Sequence, residues 1–423
     1  MSKWYKLDNA AKLFPPVTGK SYSSVFRLSA VLYKPVDKKI LQKAVDHIFN
    51  RFPMMFLRMR KGVFWNYFDT NHEKFVVEEE RQCPCAEINP EKNNGYLLKI
   101  LYFGNRIAIE MFHSLTDGSG AAEFLKTLLF YYFRFLGEDI EDEGKLLLTE
   151  DGVSADETED SFSKYYEPED KTVKPAREPR AFRVRGTPFE ACKNNVTTGV
   201  VSASGLSKLA KTQNATITSY LASLLIYSIS MEQQRCAAFS EPVVVAIPVN
   251  LRKIFPSMTL RNFFAVANVG TAVSRAASLE DIIPEITRQL KIKTEKPALQ
   301  TFMSENVSLE RKLWSRLVPL SIKKPFIMIG TDVKGESRKS ASLSNLGILS
   351  AAPGFISRVK YMEANLYPTP KSPINCAVCS LGDRLTISFS RTIIESEIIR
   401  RFFSHLAQSL EVEVYSNDWG RSM

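Results

Sequence analysis

Two short strands and a long apolar helix meet at residues 113–118, and this junction constrains the fold more than any other stretch of the sequence. Residues 96–103 and 106–112 are rich in apolar and aromatic side chains, and the Gly104-Asn105 pair between them is typical of a tight hairpin turn. Residues 119–136 follow with large apolar side chains at helical spacing. The sequence therefore predicts an antiparallel hairpin that leads through His-Ser-Leu-Thr-Asp-Gly into a buried helix.

Strands and helices are mixed along the rest of the chain, and residues 1–16 show no regular pattern. We predict further strands at residues 21–33, 54–60, 63–68, 195–203, 242–248, 262–274, 326–329, 340–349, 356–362, 374–380 and 385–391. We predict further helices at residues 36–51, 204–213, 217–231, 278–293, 308–319 and 395–410, with Ser204 as an N-cap. Because the order lacks strict βα alternation, it favours an α/β fold with mixed sheets.

A change of composition near the middle of the chain predicts two halves. The chain has 423 residues, which is too long for one ordinary core. Residues 137–170 are dense in Asp and Glu, and prolines then follow amid Lys and Arg up to Pro188. Such a shift is typical of a crossover linker, which we place at about residues 137–190. We therefore expect two α/β sandwiches, residues 1–170 and 191–423, with a long cleft between them.

The basic residues are dispersed, and the formal charge of +10 does not come from a run of Lys and Arg with interleaved aromatics. We therefore expect no nucleic-acid partner. Residues 1–12 carry charges throughout, which predicts no signal peptide, and no apolar run approaches the roughly 20 residues of a membrane-spanning helix. Six cysteines in a chain of this size do not form a disulfide framework, so a cytoplasmic location is the expectation.

Two pairs of cysteines could suggest a metal-binding site, but their sequence context does not support one. Cys376 and Cys379 form a C-x-x-C within an apparent strand and without a second pair of ligands. Cys83 and Cys85 are too closely spaced for the usual zinc pairs. We therefore expect no metal site.

His113, Asp117 and Gly118 form a His-x-x-x-Asp-Gly pattern at the hairpin-to-helix junction. The pattern resembles the motif of the chloramphenicol acetyltransferase-like superfamily, which includes condensation domains, BAHD acyltransferases, polyketide-associated acyltransferases and alcohol acetyltransferases. The resemblance implies two acetyltransferase-like subdomains, each a mixed sheet packed with helices, that form a V with a tunnel between them. It also implies that His113 is a general base, with an ordinary histidine at a strand end as the alternative.

A second segment lies in the other half of the chain. Arg252 ends a Val-Asn-Leu-Arg stretch and Asn262 follows ten residues later, which is similar to a D/N-x-R arrangement of the BAHD and alcohol acetyltransferase groups. In those groups the arginine pairs with the aspartate of the first motif. The resemblance therefore implies that Arg252 meets Asp117 and joins the two halves. A helix N-cap remains the alternative for Asp117, and a surface position remains the alternative for Arg252.

Residues 342–347, Ser-Leu-Ser-Asn-Leu-Gly, resemble the Ser-Asn-x-Gly strand that borders the tunnel in condensation-type members. The resemblance implies that Ser344 or Asn345 lines the tunnel or donates to a developing oxyanion. The chain lacks the Asp-Phe-Gly-Trp-Gly segment of BAHD enzymes, which favours the alcohol acetyltransferase branch.

The resemblance implies an acyl-CoA-dependent acyltransferase that moves an acetyl or short acyl group from a CoA thioester to an alcohol or amine. Such a reaction needs a base for the acceptor's proton, and an ordinary histidine is mostly neutral at pH 7. Acetyl-CoA or another acyl-CoA would be a co-substrate, with no permanently bound cofactor. Two alternatives stay open: a condensation-type protein that acts on carrier-protein-bound substrates, and a degenerate member that binds without turnover. The sequence predicts neither the acceptor nor the oligomeric state.

Overall fold

The computed structural model describes residues 4–19, 22–168, 178–189, 194–235, 241–273, 277–312, 317–349 and 353–417. The strands are β1 Trp4–Lys6, β2 Val25–Leu32, β3 Leu57–Arg60, β4 Tyr67–Thr70, β5 Glu78–Glu79, β6 Leu98–Phe103, β7 Arg106–Phe112, β8 Asn195–Ser202, β9 Val243–Asn250, β10 Phe264–Thr271, β11 Ala341–Ile348, β12 Val359–Leu366, β13 Ile374–Leu381, β14 Arg384–Arg391 and β15 Glu413–Asn417. The helices are α1 Phe14–Val17, α2 Lys38–Ile48, α3 Gly118–Phe135, α4 Ser161–Lys164, α5 Ala203–Thr212, α6 Ile217–Arg235, α7 Leu279–Lys293, α8 Lys296–Arg311, α9 Leu320–Lys334, α10 Pro353–Ile356 and α11 Glu397–Leu406. Within these ranges, no helix combines the length and the apolar content that crossing a bilayer requires.

The first large sheet has five strands in the order β12-β2-β7-β6-β5, and β1, β4 and β3 form a separate small sheet. Strands β12, β2, β7 and β6 are antiparallel, and β5 runs parallel to β6. Helix α3 packs against β2 and against α2. The edge strand β12 comes from the C-terminal half of the chain and places Met362 opposite Ala30. The sheet that carries the 113–118 junction is therefore completed by a strand from the other half.

The second large sheet has seven strands in the order β10-β9-β11-β13-β14-β8-β15. Strand β11 runs parallel to both of its neighbours, and the other adjacent pairs are antiparallel. Helix α6 contacts β9, α7 and α11. Residues 217–231 of α6 carry apolar side chains and small hydroxyls but no charge, so this helix can be buried on most sides.

The predicted hairpin and helix around residues 113–118 are confirmed. Strands β6 and β7 pair in antiparallel register, with Phe103 opposite Arg106 at the turn. Gly104 has a φ of 56°, the left-handed conformation that such a turn favours. Helix α3 starts at Gly118, directly after the motif aspartate. The α/β class with mixed sheets is confirmed as well.

The sequence predicts a helix at residues 308–319 and a strand at residues 326–329. The strand prediction is wrong; of the predicted helix, residues 308–311 are helical but belong to a helix that begins earlier, and residues 313–316 lie outside the described ranges. Helix α8 occupies Lys296–Arg311, and the supposed strand lies inside helix α9, Leu320–Lys334. A short apolar run fits a strand and a helix equally well, because four residues are too few to distinguish the two periods.

Three smaller corrections concern segments with weak patterns. Residues 1–16 contain β1 and the start of α1 rather than an irregular lead-in. Helix α5 is capped by Ser202, whose Oγ accepts from the Gly205 N–H at 3.0 Å, and not by Ser204. The sequence does not predict strand β15, because its short Glu-Val-Tyr-Ser-Asn stretch has too few apolar residues to indicate a strand.

Part of the predicted linker packs against both halves of the chain. Arg51 Nη1 and Nη2 donate to the two carboxylate oxygens of Glu157 at 2.6 and 2.9 Å, in a buried ion pair. Phe162 is buried in a small core that includes Phe263. Residues 169–177 and 190–193 lie outside the described ranges, and the division into residues 1–170 and 191–423 stays a prediction.

Candidate active site

The imidazole of His113 leaves the end of β7 and lies among aromatic rings. Its backbone N–H donates to Ser24 O at 2.9 Å, which extends the pairing of β2 and β7 by one residue. Phe14 stacks on the imidazole with ring centroids 4.5 Å apart, and Phe26 is tilted against it at 4.8 Å. The residue is partly exposed. These two aromatic rings therefore hold the imidazole in one orientation.

Asn262 determines which nitrogen of His113 carries the proton. His113 Nδ1 lies 3.1 Å from Asn262 Oδ1, and Asn262 Nδ2 donates to Asp8 Oδ2 at 3.3 Å. The carboxylate of Asp8 thus turns the amide oxygen of Asn262 toward the histidine. Because an amide oxygen can only accept, Nδ1 carries the proton and Nε2 is the basic nitrogen.

Asp8 anchors this row of hydrogen bonds and is fully buried. Its Oδ1 accepts from the Ala11 N–H at 2.7 Å, and Arg261 Nε lies 3.6 Å from its Oδ2. Burial raises the pKa of Asp8 to about 6, although the nearby Arg261 guanidinium acts in the opposite direction. Sequence reasoning missed Asp8, because residues 1–16 show no pattern and its role depends on contacts with residues far along the chain.

The carboxylate of Asp117 serves two purposes, one with each oxygen. Oδ1 caps helix α3 by accepting from the N–H groups of Ser119 and Gly120 at 3.1 and 3.2 Å. Oδ2 accepts from Arg252 Nη1 at 2.8 Å and from the Phe263 N–H at 2.8 Å. The N-cap and the ion pair, which sequence analysis treated as alternatives, are both present. The same side chain thus fixes the start of α3 and joins it to the C-terminal half.

Arg252 ties Asp117 to the loop of residues 259–263. Its Nε donates to Thr259 O at 2.9 Å, and its Nη2 donates to Arg261 O. The side chain of Arg252 is only 13% exposed. Because the same loop carries Asn262, the ion pair at Asp117 and the hydrogen bond at His113 belong to one connected set of contacts.

Burial lowers the pKa of the His113 imidazole below its ordinary value. The negative charge of Asp117 and the hydrogen bond that His113 donates to Asn262 act in the opposite direction but do not outweigh burial. The imidazole is therefore neutral at pH 7, which is the protonation state that a base requires.

Two glycines allow close packing around the motif. A Cβ on Gly118 would lie 2.4 Å from Leu346 Cδ2, which is the end of a flexible side chain. A Cβ on Gly120 would lie 2.2 Å from both Leu260 O and Thr116 Oγ1. The motif in the sequence contains Gly118, but Gly120 has less room, and only the packing of residues 260 and 116 reveals this.

Strand β11 passes beside the motif, because the side chain of Leu346 on this strand packs over Gly118 at the start of α3. Asn345 Nδ2 donates to Thr218 Oγ1, and its Oδ1 accepts from the Gly347 N–H, both at 2.9 Å. The amide of Asn345 is therefore engaged within β11 and with α6. Ser344 is partly exposed on the same strand. A contribution of Ser344 or Asn345 to an oxyanion site stays a prediction.

The described residues contain no cluster of three or more His, Cys, Asp or Glu side chains that could hold a metal ion. Cys376 and Cys379 are buried on β13 and pack in different hydrophobic cores. Residues three apart on a strand point to opposite faces, so these two thiols cannot ligate one ion.

Comparison with known proteins gives matches in structure but not in sequence. No family model matches the chain, and no curated protein matches it. TRI101 of F. sporotrichioides, complexed with coenzyme A and T-2, has a TM-score of 0.63 and 12% identity, over 97% of this chain and 99% of that chain. TRI3 trichothecene 15-O-acetyltransferase from Fusarium sporotrichioides has a TM-score of 0.59 and 11% identity, over 96% of this chain and 95% of that chain. The starter condensation domain of rhizomide synthetase, complexed with C8-CoA, has a TM-score of 0.57 and 13% identity, over 96% of this chain and 95% of that chain.

These likenesses and the sheet topology define the fold. The chain has the fold of the chloramphenicol acetyltransferase-like superfamily, and the resemblance seen in the sequence is confirmed at the level of the fold. At 11 to 13% identity the likeness concerns the fold alone. The reaction therefore has to be inferred from the residues of the site and their geometry.

Proposed function

We propose that this protein is an acyltransferase that moves an acyl group from a CoA thioester to an alcohol or amine, with His113 as the general base. The observation that supports this most is the imidazole itself. His113 is partly exposed as a residue, its imidazole has a lowered pKa, and its Nδ1 is held by Asn262 so that Nε2 can accept a proton. Neighbours of the same fold are complexed with coenzyme A or C8-CoA, which suggests the donor class.

In the proposed reaction, Nε2 of His113 takes the proton of the acceptor hydroxyl or amine as that group attacks the thioester carbonyl. A tetrahedral intermediate forms, and its oxygen carries the negative charge. The C–S bond then breaks, and the CoA thiolate leaves and receives the proton from the imidazolium. No acyl group is bonded to the protein at any stage, so a nucleophilic serine or cysteine is not needed.

The other residues of the site would position this base. Asn262 would hold the imidazole in the tautomer with Nδ1 protonated, and Asp8 would hold the amide of Asn262. Asp117 and Arg252 would keep the start of α3 and the loop of residues 259–263 in a fixed relation. Such positioning matters because small errors in the placement of a base lower the rate steeply. Ser344 is the candidate donor to the oxyanion, since the amide of Asn345 has other partners.

Release of CoA from acetyl-CoA and longer acyl-CoA donors, with a panel of alcohols and amines, tests the proposal. His113→Ala should lower kcat by about 10²- to 10⁴-fold. His72→Ala is a matched control, because His72 is exposed in the connection after β4, and it should leave kcat unchanged. Circular dichroism should show that both variants are folded. Full activity of His113→Ala would overturn the assignment of the base.

The same assay separates the proposal from its two alternatives. A condensation-type protein would release no CoA from free acyl-CoA but would consume an acyl group loaded on a carrier protein. The presence of condensation and epimerization domains among the structural neighbours keeps this alternative in view. A degenerate member would bind acyl-CoA without turning over either donor.

A further inference from the structure

The hydroxyl of Ser119 is a hydrogen-bond donor that the proposed reaction does not yet use. Ser119 is the second residue of α3 and is partly exposed. Its backbone N–H donates to Asp117 Oδ1 at 3.1 Å, and its Oγ accepts from Asn250 Nδ2 at 2.9 Å. Among the residues that the structure describes, none accepts a hydrogen bond from this Oγ. The hydroxyl hydrogen is therefore available to a ligand.

The hydrogen bond between Asn250 and Ser119 can run in only one direction. Asn250 Oδ1 accepts from the Arg252 N–H at 3.0 Å and from Arg252 Nη1 at 3.2 Å, and both of these groups can only donate. The oxygen of the Asn250 amide thus faces Arg252, and the NH₂ group faces Ser119. Because an amide NH₂ group cannot accept, Ser119 Oγ is the acceptor and its own hydrogen points away from Asn250.

The second large sheet places this hydroxyl close to the candidate base. Asn250, the last residue of β9, pairs directly with Phe264, the first residue of β10, so their side chains project from the same face. The Phe264 ring lies against the imidazole of His113, with ring centroids 5.6 Å apart. Neighbouring strands are about 4.8 Å apart. His113 and Ser119 therefore contact one face of the sheet at positions one strand apart.

Strand β11 adds a second hydroxyl to the same face. Leu346 packs over Gly118, next to Ser119, and β11 is the neighbour of β9 on the side away from β10. Asn345 bonds to Thr218 of α6 on the opposite face, so Ser344 and Leu346 share the face that meets the start of α3. Ser344, the candidate oxyanion donor, and Ser119 are thus on the same side of the sheet.

We propose that the hydroxyl of Ser119 donates a hydrogen bond to the oxyanion of the tetrahedral intermediate, as a second donor beside Ser344. This inference rests on the proposed function. An acceptor oxygen about 3 Å from Nε2 of His113 and an oxyanion about 3 Å from a hydroxyl require base and donor to be about 6–8 Å apart, which is of the same order as one strand spacing. Ser119 keeps its proton throughout, and Asn250 is the positioning residue that orients the hydroxyl.

Steady-state CoA release by the full chain tests this role, with the acyl-CoA donor and the acceptor that the wild type turns over fastest. Ser119→Ala should lower kcat by about 10²- to 10³-fold. The KM values, and the Kd of the acyl-CoA in titration calorimetry without acceptor, should change less than about threefold, because the oxyanion exists only during the reaction. Ser119→Thr keeps a hydroxyl and should restore kcat to within about tenfold of the wild type.

Ser204→Ala is a matched control. Ser204 is likewise the second residue of its helix, α5, and its Oγ lies 3.1 Å from Ser202 Oγ. The residue is exposed and outside the candidate site, so kcat should match the wild type.

Asn250→Asp tests the direction of the hydrogen bond. The introduced carboxylate can still accept from Arg252, but it can also only accept from Ser119. The hydroxyl would therefore turn its hydrogen toward position 250, and kcat should fall about as far as in Ser119→Ala.

Wild-type kcat in Ser119→Ala or in Asn250→Asp would overturn the proposal, and so would a Ser119→Thr variant no faster than Ser119→Ala. A loss of kcat in Ser119→Ala that comes with an equal loss of acyl-CoA binding, or with a changed circular dichroism spectrum, would also overturn it, since Ser119 would then serve binding or stability. In each of these cases a slow His113→Ala variant would leave the proposed function intact. A fully active His113→Ala variant, or a wild type that releases no CoA, would instead refute the proposed function itself, and the role of Ser119 with it.

Discussion

Replacement of Asp117 by asparagine tests the contact that joins the two halves at the site. In the wild type, four donors converge on this carboxylate: two backbone N–H groups of α3, the Phe263 N–H and the Arg252 guanidinium. An asparagine has one acceptor oxygen and one donor amide in place of the two oxygens. Whichever way the amide turns, its NH₂ group faces two donors. The substitution therefore removes either the N-cap or the acceptor of Arg252, and in both orientations the Arg252 guanidinium loses its charged partner.

The size of the effect follows from burial. Loss of one partner of a buried charge pair costs about 3–5 kcal/mol, because the remaining charge stays out of water without compensation. Loss of the N-cap alone costs about 1 kcal/mol. Since the Asp117 and Arg252 side chains are only 7 and 13% exposed, we expect a loss of about 3–5 kcal/mol in the free energy of unfolding. Activity should fall as well, because the loop of residues 259–263 carries Asn262.

Urea denaturation followed by circular dichroism measures this loss, with activity recorded in parallel. Glu285→Gln is a matched control, because it removes one charge from the exposed Arg288–Glu285 pair and should cost no more than about 1 kcal/mol. If Asp117→Asn is as stable and as active as Glu285→Gln, the ion pair does not hold the site together and the reasoning is refuted.

Three further predictions concern the orientation and the titration of His113. Asn262→Ala should lower kcat on the order of 10- to 100-fold with little change in KM, because the imidazole loses the acceptor that sets its tautomer; unchanged kcat would remove Asn262 from the positioning role. The pH profile of kcat/KM should fall on the acid side only below about pH 6.5, because burial lowers the pKa of His113 and a base is active when deprotonated. Asn262→Asp should move this fall to higher pH, since an added negative charge favours the imidazolium; an unmoved profile would contradict the proposed contact.

Local patterns in the sequence determined the junction at residues 113–118. The turn at Gly104 and the helical spacing of apolar residues after Gly118 are short-range features, and such features indicate β6, β7 and α3 without knowledge of any tertiary contact. The pattern also placed His113 at a strand end and Asp117 at a helix start, where the structure has them. The same reasoning failed for α9, because a four-residue apolar run does not decide between a helix and a strand.

Only the tertiary structure decided which residues complete the site. Asp8, His113 and Asn262 lie far apart in the chain, and no periodicity relates them, yet their side chains form one row of hydrogen bonds. The sequence likewise left open whether Asp117 is a helix cap or an ion-pair partner, and the fold makes it both. The physical reason is that strand and helix patterns depend on neighbours a few residues away, whereas a buried polar group takes its partners from whatever the packing of distant segments brings beside it.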